Sequence, residues 1–220
     1  MENVRFTFHR EPAYNGMGVP YHMYINGAYV GGVKNGQTLT AEGPVAPAYI
    51  LEKDGPFGSA VILCGKGKEC RLALRTTGGY GAPNGQNAVA HTSFRLGEQE
   101  LRAPAIYEKI REARRNPEIR ATLTDAERPL FVCYAFWCAF GKMLEREKQV
   151  TFGAGMDGAM EALETVGAEV TAAFCRGLMS PNLAPGTYPL PEKRPAFCRD
   201  ITRAVHGYIL ENGLHGIKKD

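Results

Sequence analysis

The side-chain rhythm of this chain changes near position 100, and that change limits its fold more than any other feature. Before it, apolar residues recur at every second position. In Val4–Glu11, VRFTFHRE, the side chains of Val4, Phe6 and Phe8 share one face, and Arg5, Thr7 and His9 share the other. After it, they recur at every third or fourth position, as in Phe197, Ile201, Val205 and Ile209. A strand alternates its side chains with period two and a helix with period 3.6, so no single backbone geometry serves both parts. The expected organisation is α+β: a β domain over residues 1–99 and a helical domain over 100–220.

In the first part, two Asn-Gly pairs punctuate Tyr21–Gly43: Asn26-Gly27 and Asn35-Gly36. Asn-Gly suits a two-residue hairpin turn because both central residues need φ > 0, which Asn tolerates and Gly takes freely. The runs between them, Tyr21–Ile25, Tyr29–Lys34 and Thr38–Glu42, then read as a three-stranded meander. Gly31-Gly32 inside the middle run suggests a bulge or a close backbone approach. Ala48–Lys53, Ser59–Cys64, Cys70–Thr76 and Asn87–Leu96 continue the pattern. Seven or eight short strands with regular turn signals predict an antiparallel β-sandwich. The order YINGxYVGxxKNGxT, preceded by a strand with Arg10 and a Gly-containing loop, resembles small bacterial β-sandwich domains of the PEGA-like kind. The resemblance covers roughly the first third of the chain and implies a fold, with no catalytic residue to carry over.

Past Gly97 the pattern predicts about four helices. Pro104–Arg115 comes first. Thr124-Asp125-Ala126-Glu127 has the form of a capping box and opens a second helix running to about Lys148. That helix is apolar nearly all round from Leu130 to Phe140, around the single tryptophan Trp137, and is expected to be buried on most sides. Asp157–Leu178 follows, with Met160, Leu163, Val166, Val170, Phe174 and Leu178 on its inward stripe. Pro181–Pro195 reads as an extended connector, Ala196–Leu210 as the last helix, and Asn212-Gly213 as its stop.

The formal charge of +3 is small, and both halves, divided at Gln99, are near charge balance. The electrostatic footprint of a nucleic-acid binder is missing, so no nucleic-acid partner is expected. The N-terminus has no apolar leader, and the longest apolar run, Pro129–Gly141, is too short to cross a bilayer. A cytoplasmic protein without a membrane partner is expected, its six cysteines mostly reduced. No Cys-x2-Cys or comparable spacing calls for a metal.

Gly153-Ala154-Gly155-Met156-Asp157-Gly158 is a literal G-x-G-x-x-G opening a helix. Gly153, Gly155 and Gly158 could bring backbone N–H groups onto a pyrophosphate, but no strand–helix–strand pattern surrounds them. The plainer reading is an inter-helix turn. Cys64 and Cys70 flank Gly65–Lys68 and would face each other across a hairpin. His91 shares a strand face with Ser93. Glu108, Glu112 and Arg111–Arg115 make a charged helix face of the ordinary solvated kind. Pro189–Pro195 could adopt a polyproline form and dock on an aromatic groove, or simply lie along the protein's own surface. No convergent catalytic set, cofactor or metal is expected. The leading functional expectation is a non-catalytic protein acting by protein–protein contact or self-association, including a homodimer through sandwich edges. The alternatives are a nucleotide- or small-ligand-binding enzyme at Gly153–Gly158, and a carbohydrate-binding module using Tyr14, Tyr24, Tyr29 or Tyr80.

Overall fold

The computed structural model describes residues 3–13, 18–58, 60–64, 69–77, 91–141, 149–151, 157–178, 187–189 and 194–216. It divides into two compact units, residues 1–54 with 58–103, and residues 55–57 with 104–220.

Among the described residues the first unit holds nine strands: β1 Asn3–Arg10, β2 Tyr21–Ile25, β3 Ala28–Val33, β4 Thr38–Pro44, β5 Ala48–Lys53, β6 Val61–Cys64, β7 Glu69–Thr77, β8 His91–Leu96 and β9 Gln99–Leu101. They form a five-stranded sheet in the order β4-β1-β7-β8-β9 and a four-stranded sheet in the order β3-β2-β5-β6. Both sheets send side chains into one apolar core. Phe6, Phe8, Leu72, Leu74 and Phe94 come from the first, and Tyr21, Met23, Tyr49, Leu51 and Val61 from the second. Phe6 meets Tyr49 edge to face at 4.9 Å, the favoured geometry for an aromatic pair. Phe6 also lies against Gly43, where a Cβ would stand 3.4 Å from its ring.

The expectation of a purely antiparallel arrangement is corrected by β1 and β7, which pair in parallel from Arg5↔Glu69 to Arg10↔Leu74. Period-two alternation fixes which face a residue occupies and says nothing about a neighbour's direction.

The meander is corrected too. Asn26 (φ 47°) and Gly27 (φ 78°) are both left-handed, and β2–β3 is the hairpin that this turn chemistry favours. At the second pair only Gly36 has positive φ (71°), and Asn35 accepts a hydrogen bond from the Ala13 N–H at 2.9 Å. That turn is therefore a corner. The chain leaves the four-stranded sheet, and β4 pairs with β1 in the other one. The expected irregularity at Gly31-Gly32 is a bulge. The register passes from Met23↔Gly31 to Tyr24↔Tyr29, leaving Val30 as the extra residue. Gly31 has φ 142°, and a Cβ there would meet the Leu39 side chain at 3.0 Å.

Among the described residues the second unit has six α-helices rather than about four: α1 Ala105–Ala113, α2 Pro117–Ala121, α3 Arg128–Phe136, α4 Asp157–Val166, α5 Glu169–Leu178 and α6 Arg194–Glu211. α3 passes into a π-helical turn at Trp137–Gly141, and a two-stranded antiparallel ribbon joins β10 Gln149–Thr151 to β11 Thr187–Pro189. Two local signals account for the extra helices. Asn116 accepts from the Glu118 N–H at 2.9 Å and caps α2, with Pro117 at its first position. Gly167, at φ 87°, ends α4. Its N–H reaches the Glu164 carbonyl, and the Ala168 N–H reaches that of Leu163, which is a Schellman stop. The break resets the helical phase, so Val170, expected inside, is 53% exposed. The same pair of bonds at Gly213 and Leu214 ends α6.

Thr124 and Glu127 act as half of a capping box. The Thr124 N–H donates to the Glu127 carboxylate at 2.8 Å, and Lys109 of α1 donates to it at 2.6 Å. Asp200 of α6 closes the start of α5 from outside, accepting from the Thr171 N–H (2.8 Å) and hydroxyl (2.9 Å). Burial disfavours the charge on Glu127, but the Lys109 ammonium and the Thr124 N–H outweigh it and hold its carboxyl below the usual glutamate range. A depressed carboxyl adds stability above its unfolded pKa, and that stability is lost as pH falls through the folded one. Glu127→Gln should therefore cost the helical unit about 1–2 kcal/mol at neutral pH. The cost should shrink as both proteins are acidified below the ordinary glutamate pKa. Urea unfolding of the two proteins across that range checks it, and a difference independent of pH would refute the ionic account.

Candidate functional site

Five strands end their inward-facing series on a polar residue, all at one end of the β unit. The series Val4, Phe6, Phe8 ends on Arg10; Ile25 and Met23 lead back to Tyr21; Tyr49 and Leu51 lead to Lys53; Leu72 and Leu74 to Thr76; Phe94 to Thr92. These five residues meet. The Arg10 guanidinium lies over the Tyr21 ring at 3.5 Å from its centroid, and the Lys53 ammonium lies 4.1 Å from the same centroid. Arg10 is fully buried and donates to the carbonyls of Val19 (2.7 Å) and Val33 (3.4 Å). The Tyr21 hydroxyl bonds Thr76 at 2.8 Å and Thr92 at 3.3 Å. Because Tyr21 belongs to the four-stranded sheet and the two threonines to the other, the phenol is a polar tie between the sheets. Lys53 is held in turn by Asp54 at 2.5 Å, which also accepts from the His22 N–H at 2.7 Å.

Burial opposes ionisation of Tyr21, but the two threonine hydroxyls and the two nearby cations outweigh it, and its pKa falls below the ordinary phenol value. The arrangement can stabilise a phenolate and keep two cations in place. Sequence reasoning noted Arg10 and Tyr21 without joining them. The signal was present: an arginine in the core phase of an otherwise apolar strand face.

The strand edges form the second candidate. Among the described residues β4 and β9 are the edges of one sheet, and β3 and β6 of the other. β4 carries Glu42 and ends on Pro44; β9 is three residues long with Glu100 at its centre; β3 is bulged and contains Gly31 and Gly32. Each of these devices discourages a further strand from adding. β6 is Val61-Ile62-Leu63-Cys64, with no charge, proline, glycine or bulge in its register with β5. Val61 and Leu63 are buried toward the core, while Ile62 is half-buried on the opposite face. Among the described residues β5 is its one backbone partner.

The sites expected from sequence are not gathered together. Gly153 and Gly155 lie outside the described residues. Gly158 is exposed in the first turn of α4, where a Cβ would meet nothing within 4 Å. The nearest strand, β10, is in an antiparallel ribbon, unlike the parallel strand–helix–strand setting a dinucleotide fingerprint occupies. Cys64 and Cys70 do not oppose each other: Cys64 pairs with Ala48 in one sheet and Cys70 with Phe6 in the other. Burial pushes the thiols of Cys133 and Cys175 up to about 12, which leaves them unreactive. The side chain of His91 lies outside the described residues. His9 and His22 bond the Thr38 and Tyr29 hydroxyls, and His206 is buried. Arg111 is not simply solvated, since it donates to the Phe57 carbonyl at 2.7 Å. Tyr24, expected as an exposed stacking surface, is 4% exposed and packs on Tyr29. Tyr14 and Tyr80 lie outside the described residues. Pro189 is paired within β11, and Arg194 and Pro195 begin α6, so a free polyproline segment does not span Pro189–Pro195.

α3 is buried on one side only, through Leu130, Cys133 and Phe136, with Phe131, Val132 and Ala135 half-exposed. Among the described residues no helix is long and apolar enough to cross a membrane, and no group of three or more His, Cys, Asp or Glu is placed to hold a metal ion. No family model, no curated protein and no solved structure matches the chain.

Proposed function

We propose that this protein works by contact with another protein chain, through strand addition at the β6 edge. The observation that supports this reading is the contrast among the edges of the described strands: β3, β4 and β9 carry a bulge, glycines, a proline or a charge, and β6, though only four residues long, carries none of these. Main-chain hydrogen bonds supply affinity in such a contact, and the alternating side chains supply selectivity. The likeness of the first third to PEGA-like domains belongs to the same reading, with the β unit as an open sandwich. The polar cluster around Tyr21 then serves to hold the two sheets in register behind the edge.

The test uses a synthetic peptide of residues 59–65 and a scrambled control. Bound at the edge, the native-order peptide should slow amide hydrogen exchange in β6 by about 10-fold or more, because the edge amides then open only with the added strand. The scrambled peptide should leave exchange unchanged. Equal exchange at saturating native-order peptide would remove the basis of the proposal.

A further inference from the structure

From the composition of β6 we infer that its natural occupant is a second copy of this chain, joined across a dyad into one eight-stranded sheet. This rests on the reading of β6 as an acceptor edge. Val61–Cys64 has the composition of a central strand: it is uncharged, apolar and free of irregularity. An edge with no charge at its centre is the kind that can meet itself, since a charge on the dyad would face its own like, and like charges directly opposite are destabilising. The formal charge of +3 on the whole chain leaves little long-range repulsion between copies.

Side-chain parity restricts the register. Residues directly opposite in an antiparallel pair point to the same face. Val61 and Leu63 point to the core, and Ile62 points away from it. A dyad normal to the sheet must therefore pass through a residue and not between two. Centred on Ile62, it sets Ile62 against Ile62 of the other copy on the outer face. It also sets Val61 against Leu63, and Leu63 against Val61, on the core face. The interface is isologous and closes at two copies, because among the described residues each copy has one such edge to offer.

Sedimentation of the full chain over a wide concentration range tests this. The wild type should show a dimer that dissociates on dilution. Ile62→Lys and Ile62→Glu should each weaken association by at least about 10-fold, since each puts like charges face to face. Mixing the two variants should restore association, with the mixed dimer dominant, and that recovery also shows both variants to be folded. A wild-type monomer at every concentration overturns the inference, as does a dimer that survives both substitutions or fails to return on mixing. If the chain is monomeric and still takes up the strand peptide, the strand-acceptor reading stands and only the choice of occupant falls. If it does neither, both fall.

Discussion

Arg10→Ala should destabilise the β unit by about 3–4 kcal/mol, a loss built from several parts. The substitution leaves the buried Val33 carbonyl without its guanidinium donor, at a cost of about 1–3 kcal/mol, while the carbonyl of exposed Val19 can turn to water. It also removes a desolvated cation–π contact on Tyr21, on the order of 2 kcal/mol. Arg10→Lys should recover little, because an ammonium has no planar fork to span both carbonyls and the ring. A second readout separates this account from simple loss of packing. Tyr21 is an acid with a depressed folded pKa. Its contribution to stability is therefore present above the unfolded value near 10 and is lost as pH falls through the folded one. With Arg10 gone, the absorbance titration of Tyr21 should move up toward the ordinary phenol, and the alkaline gain in stability should shrink. Equal stability of wild type and Arg10→Ala in urea would mean that the guanidinium does not anchor this end of the sheets.

Phe6→Ala should cost about 3–5 kcal/mol, the usual range for truncating a buried phenylalanine. Phe6 is fully buried, meets Tyr49 of the opposing sheet edge to face, and lies over Gly43. The cavity would open where the two sheets meet, and neither a glycine nor a strand backbone can move in to fill it. Its neighbour Thr7, on the outer face, provides the control: Thr7→Ala should change stability by no more than about 0.5 kcal/mol. Urea unfolding of both variants measures the contrast. Similar losses at 6 and 7 would show that the inner and outer faces of β1 are wrongly assigned.

These two positions also mark how far the sequence could be read. Alternation gave the inward residues of β1, and the every-fourth series Phe197, Ile201, Val205 and Ile209 gave the buried stripe of α6, because both patterns are local consequences of backbone geometry. Partner choice is not local. Nothing in Glu69–Thr77 states that it lies parallel to β1, and the closeness of Cys64 and Cys70 in sequence suggested a hairpin where the chain in fact changes sheets. Asn26-Gly27 and Asn35-Gly36 are identical in sequence and differ in structure: Asn26 is left-handed and joins two paired strands, while Asn35 is not, and the strand after it pairs with β1 in the other sheet. Arg10 could have been recognised from its phase, but the ring and carbonyls it meets come from β2, β3 and the loop before β2. The break at Gly167 was the least legible, since the apolar stepping from Val166 to Val170 continues across it unchanged.

The tip of the connection between β5 and β6, Gly55–Phe57, belongs to the helical unit, where the Phe57 ring packs on Tyr107 and Tyr134. No single cut in the polypeptide therefore releases both halves intact. A fragment ending near residue 103 keeps Phe57 but strips away the rings that cover it, and the complementary fragment has a hole lined by two tyrosines. Whoever dissects this protein must treat the short excursion at 55–57 as part of the C-terminal piece, supplied in trans or grafted back.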